Sequence, residues 1–309
     1  MNVLVTGGCG YIGSVLVPGL LRDERVEQVT VLDDLSAGSP RSLFGTLGDG
    51  LTFYNGDVRE YGDVETACRG VDTVIHLAAI TGAGSTHERR EETFATNLEG
   101  TQNVLTAAGK VGVENVVFAS SCNIYGRAPA RDIDESVEPE PLNPYAETKY
   151  EAESLLGEAK SEFGFDGTAL RMATNYGNAP GIRFNLVVNH FVFRALTDRS
   201  LTVYGDGSNW RPFIHVRDAA LAYKHAALAP DDWIHEVYNV GSSDENYRIA
   251  TIADIVSEEV APVDISYLDD ENPGPSYHVD FDRLGETGYE TEWTLREGVR
   301  DLRDAFLGE

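Results

Sequence analysis

Five short apolar runs recur through the first 120 positions: NVLVT (2–6), QVTVLD (28–33), LTFYN (51–55), DTVIHLA (72–78) and NVVFASS (115–121). Runs this short and this rich in β-branched residues suit strands buried on both faces. Between them, SVLVPGLLRD and TFATNLEGTQNVLTAAGKV bring apolar residues back at helical spacing. Alternating strand and helix predicts an α/β fold, a Rossmann-type doubly wound parallel sheet with right-handed crossovers. A sixth strand, GTALRMA (167–173), follows a helix that starts near Tyr145. Beyond about residue 175 the regularity weakens. The stretches YGNAPGIRFN, YGDGSNWRPF and ENPGPSYHVD read as loops. We expect residues 1–173 to form the sheet domain, with a segment near 211–241 returning to it. Residues 174–309 should form mainly a smaller, irregular C-terminal lobe over the carboxyl ends of the strands. No internal repeat or low-complexity linker interrupts the chain.

The first strand runs into VLVTGGCGYIGS, which places Gly7, Gly8, Gly10 and Gly13 ahead of the first helix. A pyrophosphate needs a tight turn there, a bare backbone for close approach, and close packing of helix on strand. Asp33 ends the second strand 20 residues after Gly13, the spacing a dinucleotide-binding unit requires. A carboxylate at that point bonds the adenine ribose hydroxyls and repels a 2′-phosphate, so NAD is favoured over NADP. Asp34, next in line, is the other acid able to set that choice. Gly7, Gly10, Tyr11, Ile12 and Gly13 are the loop positions expected to hold the cofactor.

Lysine is rare here, four residues in all, yet Lys149 stands four positions after Tyr145 in NPYAETKYEAE. On a helix the two share a face. A free phenol titrates near 10, too high for a base at neutrality, and a fixed ammonium nearby favours the phenolate. The same ammonium can reach the nicotinamide ribose hydroxyls. Ser121 ends the fifth strand, where ligands bind in this topology, and can bond the same substrate oxygen as Tyr145. A compact point charge suits that place better than the broad guanidinium of arginine.

These segments together resemble the extended short-chain dehydrogenases/reductases, specifically the nucleotide-sugar epimerase/dehydratase group with its UDP-glucose 4-epimerase-like members. The likeness runs collinearly through TGGCGYIG, VLDDL, GDVR (56–59), HLAA (76–79), TNLEGTQNVL (96–105), SSCNIYG, PYAETK, LRMATNYG and WRPFIHVRD. It implies that Asp57 and Val58 flank adenine, that Leu77, Ala78 and Ala79 line the cofactor, and that Asn97 packs beneath the active site. It makes Ser121, Tyr145 and Lys149 the catalytic residues, with Tyr145 and Lys149 also touching NAD. The implied reaction is epimerisation of a nucleotide-diphosphate sugar. Tyr145 takes a hydroxyl proton while hydride leaves for NAD, and the hydride returns to the opposite face of the ketone.

The chain also departs from that pattern. The 4,6-dehydratases carry an Asp–Glu pair where this sequence has Cys122 and Asn123, so elimination of water is disfavoured. RMAT replaces the usual RYFN and puts Thr174 where an Asn normally holds the substrate. Arg211 in SNWRPFIHV matches a phosphate-clamping position, and Asn185 in GIRFNLVVN matches another substrate contact. A later arginine is replaced by Asn272, a loss that Arg183 is placed to offset. Two other readings stand beside the epimerase: an NAD-dependent aldose dehydrogenase that releases NADH, and a dinucleotide-binding regulator without turnover. By family analogy, helices at 88–110 and 145–163 pair in a homodimer.

Charge changes the picture most. The chain has 51 acidic side chains and a formal net charge of -27. The acid is spread along the whole length, which argues against a disordered tail and makes nucleic acid or an anionic membrane surface a poor partner. Abundant carboxylate with little lysine resembles proteins of salt-loving archaea, in which dense counterions screen self-repulsion. Cys9, Cys68 and Cys122 form neither a metal spacing nor a disulfide framework, and no basic-flanked apolar leader or membrane span is evident. The expected compartment is the cytoplasm. If screening sets stability, the melting temperature should climb as KCl enters the molar range. A flat or falling curve would overturn the salt-adapted reading.

Overall fold

A computed structural model describes residues 1–308 apart from 47, 49, 83, 129, 130, 198 and 270–273. Its centre is a seven-stranded parallel sheet. β1 (Asn2–Thr6) lies in the middle, flanked by β2 (Gln28–Asp33) and then β3 (Leu51–Asn55) on one side. After the next helix the chain crosses back to β4 (Thr73–His76), on the other side of β1, and continues to β5 (Asn115–Ser121) and β6 (Asp166–Met172). The reversal between β1 and β4 opens a crevice at the carboxyl ends of those strands, the place where this topology binds ligands. Val3, Leu4 and Val5 are wholly buried, because helices cover both faces of the sheet.

On one face α1 (Gly13–Leu21) packs beside a helix from late in the chain. On the other, α2 (Tyr61–Cys68) packs on the helix before β5, which in turn packs on the helix after it. The stretch read as one helix from 93 to 111 is three connected pieces. α3 (Arg90–Phe94) passes through a π-helical turn (Ala95–Glu99) into α4 (Gly100–Val111). The widened turn carries Asn97 inward, a device common at functional sites. α5 (Pro144–Phe163) has clear start and stop signals. Asn143 accepts the Ala146 amide at 3.0 Å, proline occupies the first helical position, and Gly164 ends the helix at φ +80°.

The remaining elements leave the sheet and come back. β7 (Thr174–Tyr176), α6 (Val187–Leu196), β8 (Leu201–Tyr204) and β9 (Trp210–His215) are followed by α7 (Val216–Leu228), the helix that packs beside α1. β10 (Val237–Val240) then joins the main sheet beside β6 as its seventh strand. β11 (Asn246–Arg248), α8 (Ile249–Glu259), β12 (Ile265–Leu268) and α9 (Leu295–Leu307) complete the lobe. There β9 pairs parallel with β7 and antiparallel with β11, and β12 pairs with β8. The lobe has its own core, built from Phe191, Val203, Ile252 and Val299 among others. No described helix is long and apolar enough to cross a membrane.

One buried ion pair fastens α5 to the sheet. Arg171 on β6 reaches Glu153 on α5 at 2.7 and 3.0 Å, and both side chains are 6% exposed. Ser120 also donates to Glu153, and Arg171 donates to the Tyr125 hydroxyl at 2.9 Å. Tyr125 in turn donates to Asn239 on β10 at 2.8 Å. Glu153→Ala would strand the Arg171 guanidinium away from water. We expect a loss of about 3–5 kcal/mol, seen as a lower urea midpoint; a shift under about 1 kcal/mol would mean that solvent reaches the arginine.

Candidate active site

The glycine loop follows from backbone geometry. Gly7 sits at φ +71°, and a Cβ there would lie 2.8 Å from the Ala78 amide nitrogen. A Cβ on Gly13 would meet Gly8 at 2.6 Å, so the loop can hug the sheet only with bare backbone. α1 begins without a side-chain cap and with no acid in its first turn, which leaves its amides for an anion. Asp33 accepts from the Cys9 amide at 2.8 Å and the Leu35 amide at 2.9 Å, pinning its carboxylate beside the loop. Burial pushes the Asp33 carboxyl up, and the two amide bonds pull against that. Asp34 is turned to Ser36.

The other expected cofactor positions follow β1, β3 and β4 or lie in the π-helical turn. Leu77, Ala78 and Ala79 follow β4, with the Ala78 amide donating to the Thr6 hydroxyl at 3.2 Å. Asn97 exchanges two hydrogen bonds with the Ile80 backbone and donates to Thr148 on α5, so it locks this strip to the helix of Tyr145. Val58 packs where a Cβ on Gly100 would come within 2.7 Å of it. Asp57 is paired with Arg59, which holds its carboxyl below the usual range. The Tyr11 hydroxyl turns away from the loop and donates to the Gly177 carbonyl at 2.6 Å, while accepting from Asn189 at 3.1 Å.

Ser121, Tyr145 and Lys149 converge at the end of β5 and the start of α5. The Ser121 hydroxyl bonds the Tyr145 phenol and accepts the Asn123 amide at 3.2 Å. Lys149 is 2% exposed, with Nζ 4.8 Å from the Phe118 ring centroid. Among the described residues no acceptor or carboxylate lies within bonding distance of that ammonium. Burial brings it down to about 7, and Glu153 pulls the other way. Tyr145 is pushed up by burial and pulled back by the Ser121 bond and then by the charge of Arg183.

Across the crevice, Arg211 stacks on the Tyr277 ring at 4.8 Å and donates to the Trp210 and Pro275 carbonyls. The Tyr277 hydroxyl meets Asn123 and Thr174, and its charge state acts on Tyr145. Asn185 is exposed and accepts from Arg183 at 3.3 Å. Asn272 lies outside the described residues. Tyr277 escaped the sequence reading because it stands in ENPGPSYHVD, a stretch without periodicity. Its flanks bridge to Arg127 and Ile133, contacts between distant segments that carry no local signal.

These features suit a dinucleotide: uncapped amides for the pyrophosphate, and an acid beside the loop. Residues 3–241 match the profile of the NAD dependent epimerase/dehydratase family. The chain belongs to that family. Its cofactor is NAD. It is 31% identical to the low-salt glycan biosynthesis protein Agl12 of Haloferax volcanii, over all of this chain and 99% of that one. The UDP-glucose 4-epimerase of Thermus thermophilus, solved with NAD, matches with a TM-score of 0.88 at 30% identity, covering 100% and 99% of the two chains. The UDP-N-acetylglucosamine 4-epimerase of Methanobrevibacter ruminantium, solved with UDP-N-acetylmuramic acid, matches with a TM-score of 0.90 at 27% identity over 99% and 98%. The extended short-chain fold and family expected from the motifs are thus established.

A test of Asp33 follows from its place. Asp33→Asn keeps an acceptor for one loop amide but removes the charge that repels a 2′-phosphate. The NAD-over-NADP preference in equilibrium binding should shrink about tenfold, or ~1.4 kcal/mol. An unchanged ratio would transfer the choice to Asp34 or the loop after it.

Proposed function

We propose that this member of the family is an NAD-dependent epimerase of a nucleotide-diphosphate sugar, with Ser121, Tyr145 and Lys149 as its catalytic residues. Bound NAD supplies reversible hydride acceptance from the sugar carbon. Tyr145 takes the proton from the sugar hydroxyl and later returns it, and Ser121 holds the same oxygen by a hydrogen bond. Lys149 orients the nicotinamide ribose and, while charged, favours loss of the phenol proton. Arg211 clamps the diphosphate, with Thr174 and Asn185 as further contacts.

The observation that carries epimerisation over dehydration lies beside Ser121. Cys122 is 1% exposed, and its thiol donates to the Arg171 carbonyl at 3.0 Å, inside the sheet. Burial keeps that thiol protonated. Asn123 is engaged by Asn143 at 2.8 Å and faces Tyr277. Eliminating water needs an acid and a base at the sugar, and these two side chains supply neither. Proteins similar to this chain include UDP-sugar 4-epimerases and dTDP-glucose 4,6-dehydratases alike, so the choice rests on Cys122 and Asn123.

Screening nucleotide sugars without added cofactor tests the reaction. Tyr145→Phe should retain NAD and lose turnover by about a hundredfold or more; retained turnover would remove Tyr145 from the mechanism. Arg211→Ala should weaken nucleotide-sugar binding by roughly tenfold to a hundredfold, the range of a charge-assisted bond, without moving NAD affinity. NADH release from a free aldose, indifferent to Arg211→Ala, would replace the epimerase with a dehydrogenase.

A further inference from the structure

Acid is the default at the surface of this protein. α5 faces water with Glu151, Glu158 and Glu162, and α8 does so with Asp254 and Glu258. α6 does not follow. No Asp or Glu stands anywhere in residues 167–197, although 51 of the 309 residues of the chain are acidic. Within that stretch β6 is mostly buried in the sheet, where an acid has no place. α6 lies at the surface of the lobe, and the residues it exposes are His190 and Phe193, with Thr197 just past its end. They recur at helical spacing and so form one line along the helix.

An aromatic cluster stands where acid is expected. Phe193 on α6, Phe184 in the loop before it and Phe306 near the end of α9 meet with ring centroids 5.4, 5.9 and 6.0 Å apart. Packing on one another does not hide them: Phe193, Phe184 and Phe306 are 39%, 43% and 37% exposed, and Leu307, next on α9, is 55% exposed. Single exposed apolar side chains are ordinary, but a contiguous group of them marks a contact surface. The charges beside the group are positive or already paired. Arg194 follows Phe193 and donates to the Ser200 carbonyl at 2.7 Å. On α9, Asp301 and Asp304 are held by Arg217 and Arg303.

We propose that this face of the lobe is a contact between two copies of the chain, joined patch to patch about a two-fold axis. Two molecules that each carry a formal charge of -27 repel one another, and a carboxylate trapped between them loses hydration without gaining a partner. Joining the phenylalanine clusters lets the copies meet where α6 presents no acid from either side, since a two-fold contact uses the same surface twice. Molar salt shortens the reach of the remaining repulsion to about 3 Å and leaves the apolar contact intact. The contact therefore strengthens with salt, opposite to one built from ion pairs. The pairing of helices at 88–110 and 145–163 expected by family analogy uses another surface. Both contacts fit on one molecule, and this one doubles the mass of whatever the other forms.

Sedimentation equilibrium on the full chain with NAD tests this, across protein concentration and from sub-molar to multimolar KCl. The wild-type mass should double as either rises. Phe193→Asp should weaken that association by about a hundredfold or more, because two unpaired carboxylates would face each other across the axis. Phe306→Lys should weaken it as well. A stronger association of Phe306→Lys would mean that the patch docks on acidic surface, which overturns the two-fold arrangement. Far-UV circular dichroism and bound NAD check that each variant is folded. Phe193→Cys gives a second readout without introducing charge. Cys9, Cys68 and Cys122 are all buried, so a short bismaleimide should link the Phe193→Cys variant into dimers. It should leave unlinked a Tyr204→Cys variant, whose site is 63% exposed on β8. Equal linking of the two variants overturns the proposal, as does a wild-type mass indifferent to salt, concentration and Phe193→Asp. A wild type of constant mass that binds phosphatidylcholine vesicles, and loses them on Phe193→Asp, overturns it in favour of a lipid surface.

Discussion

The ion pair between Arg171 and Glu153 sets how α5 lies on the sheet, and the candidate chemistry depends on that placement. α5 carries Tyr145 at its start and Lys149 one turn later, so a small rotation would move both. The pair is reached from several directions: Ser120 on β5, Tyr125 in the turn after it, and Asn239 on β10 through Tyr125. β10 comes from the far side of the lobe. The network therefore joins the strand that carries Ser121, the helix that carries Tyr145, and the returning chain. Its desolvation is costly, and the bidentate geometry with further hydrogen bonds offsets that cost. Glu153 has a second effect, since its charge opposes the loss of the Lys149 proton.

Burial works against function in such a site and must be countered group by group. Lys149 and Tyr145 are both driven toward their neutral forms. A neutral lysine and a neutral phenol would make a poor proton relay. Glu153 opposes the first shift, and Ser121 and Arg183 oppose the second. His76 shows the opposite outcome. It is wholly buried between Thr6 and Thr101, burial brings it down to about 3, and it serves as a neutral strut beneath the crevice. One low-dielectric region thus holds groups kept charged and groups kept neutral, sorted by the partners each has been given.

Much of this was legible because the signals were local. The β-branched runs of β1 to β6 fall within a residue or two of their structural bounds, since strands buried on both faces have no polar side to hide. The glycine loop, Asp33, and the Tyr145–Lys149 spacing are short-range motifs with one geometric solution. What escaped depends on contacts between distant segments. The π-helical turn at 95–99 interrupts a stretch whose apolar spacing reads as one continuous helix. Tyr277 reaches the crevice from a segment without periodicity.

The bonds between the glycine loop and the lobe carry a kinetic meaning. Gly181 lies so close to Gly10 that a Cβ would come within 2.7 Å of the Gly10 carbonyl oxygen, and its amide is bonded to Ser14. Tyr11 is fastened to Gly177 and Asn189 in the same strap. A dinucleotide seated on α1 therefore has the lobe laced to its own binding loop, and departure requires several buried bonds to open together. Where release requires the strap to open, residence time would be set by that opening more than by contacts to the ligand itself. Under the epimerase reading, such a cofactor would outlast many catalytic cycles as a part of the enzyme. That would suit a reaction which hands back, at the end of every turnover, the same oxidised form with which it began.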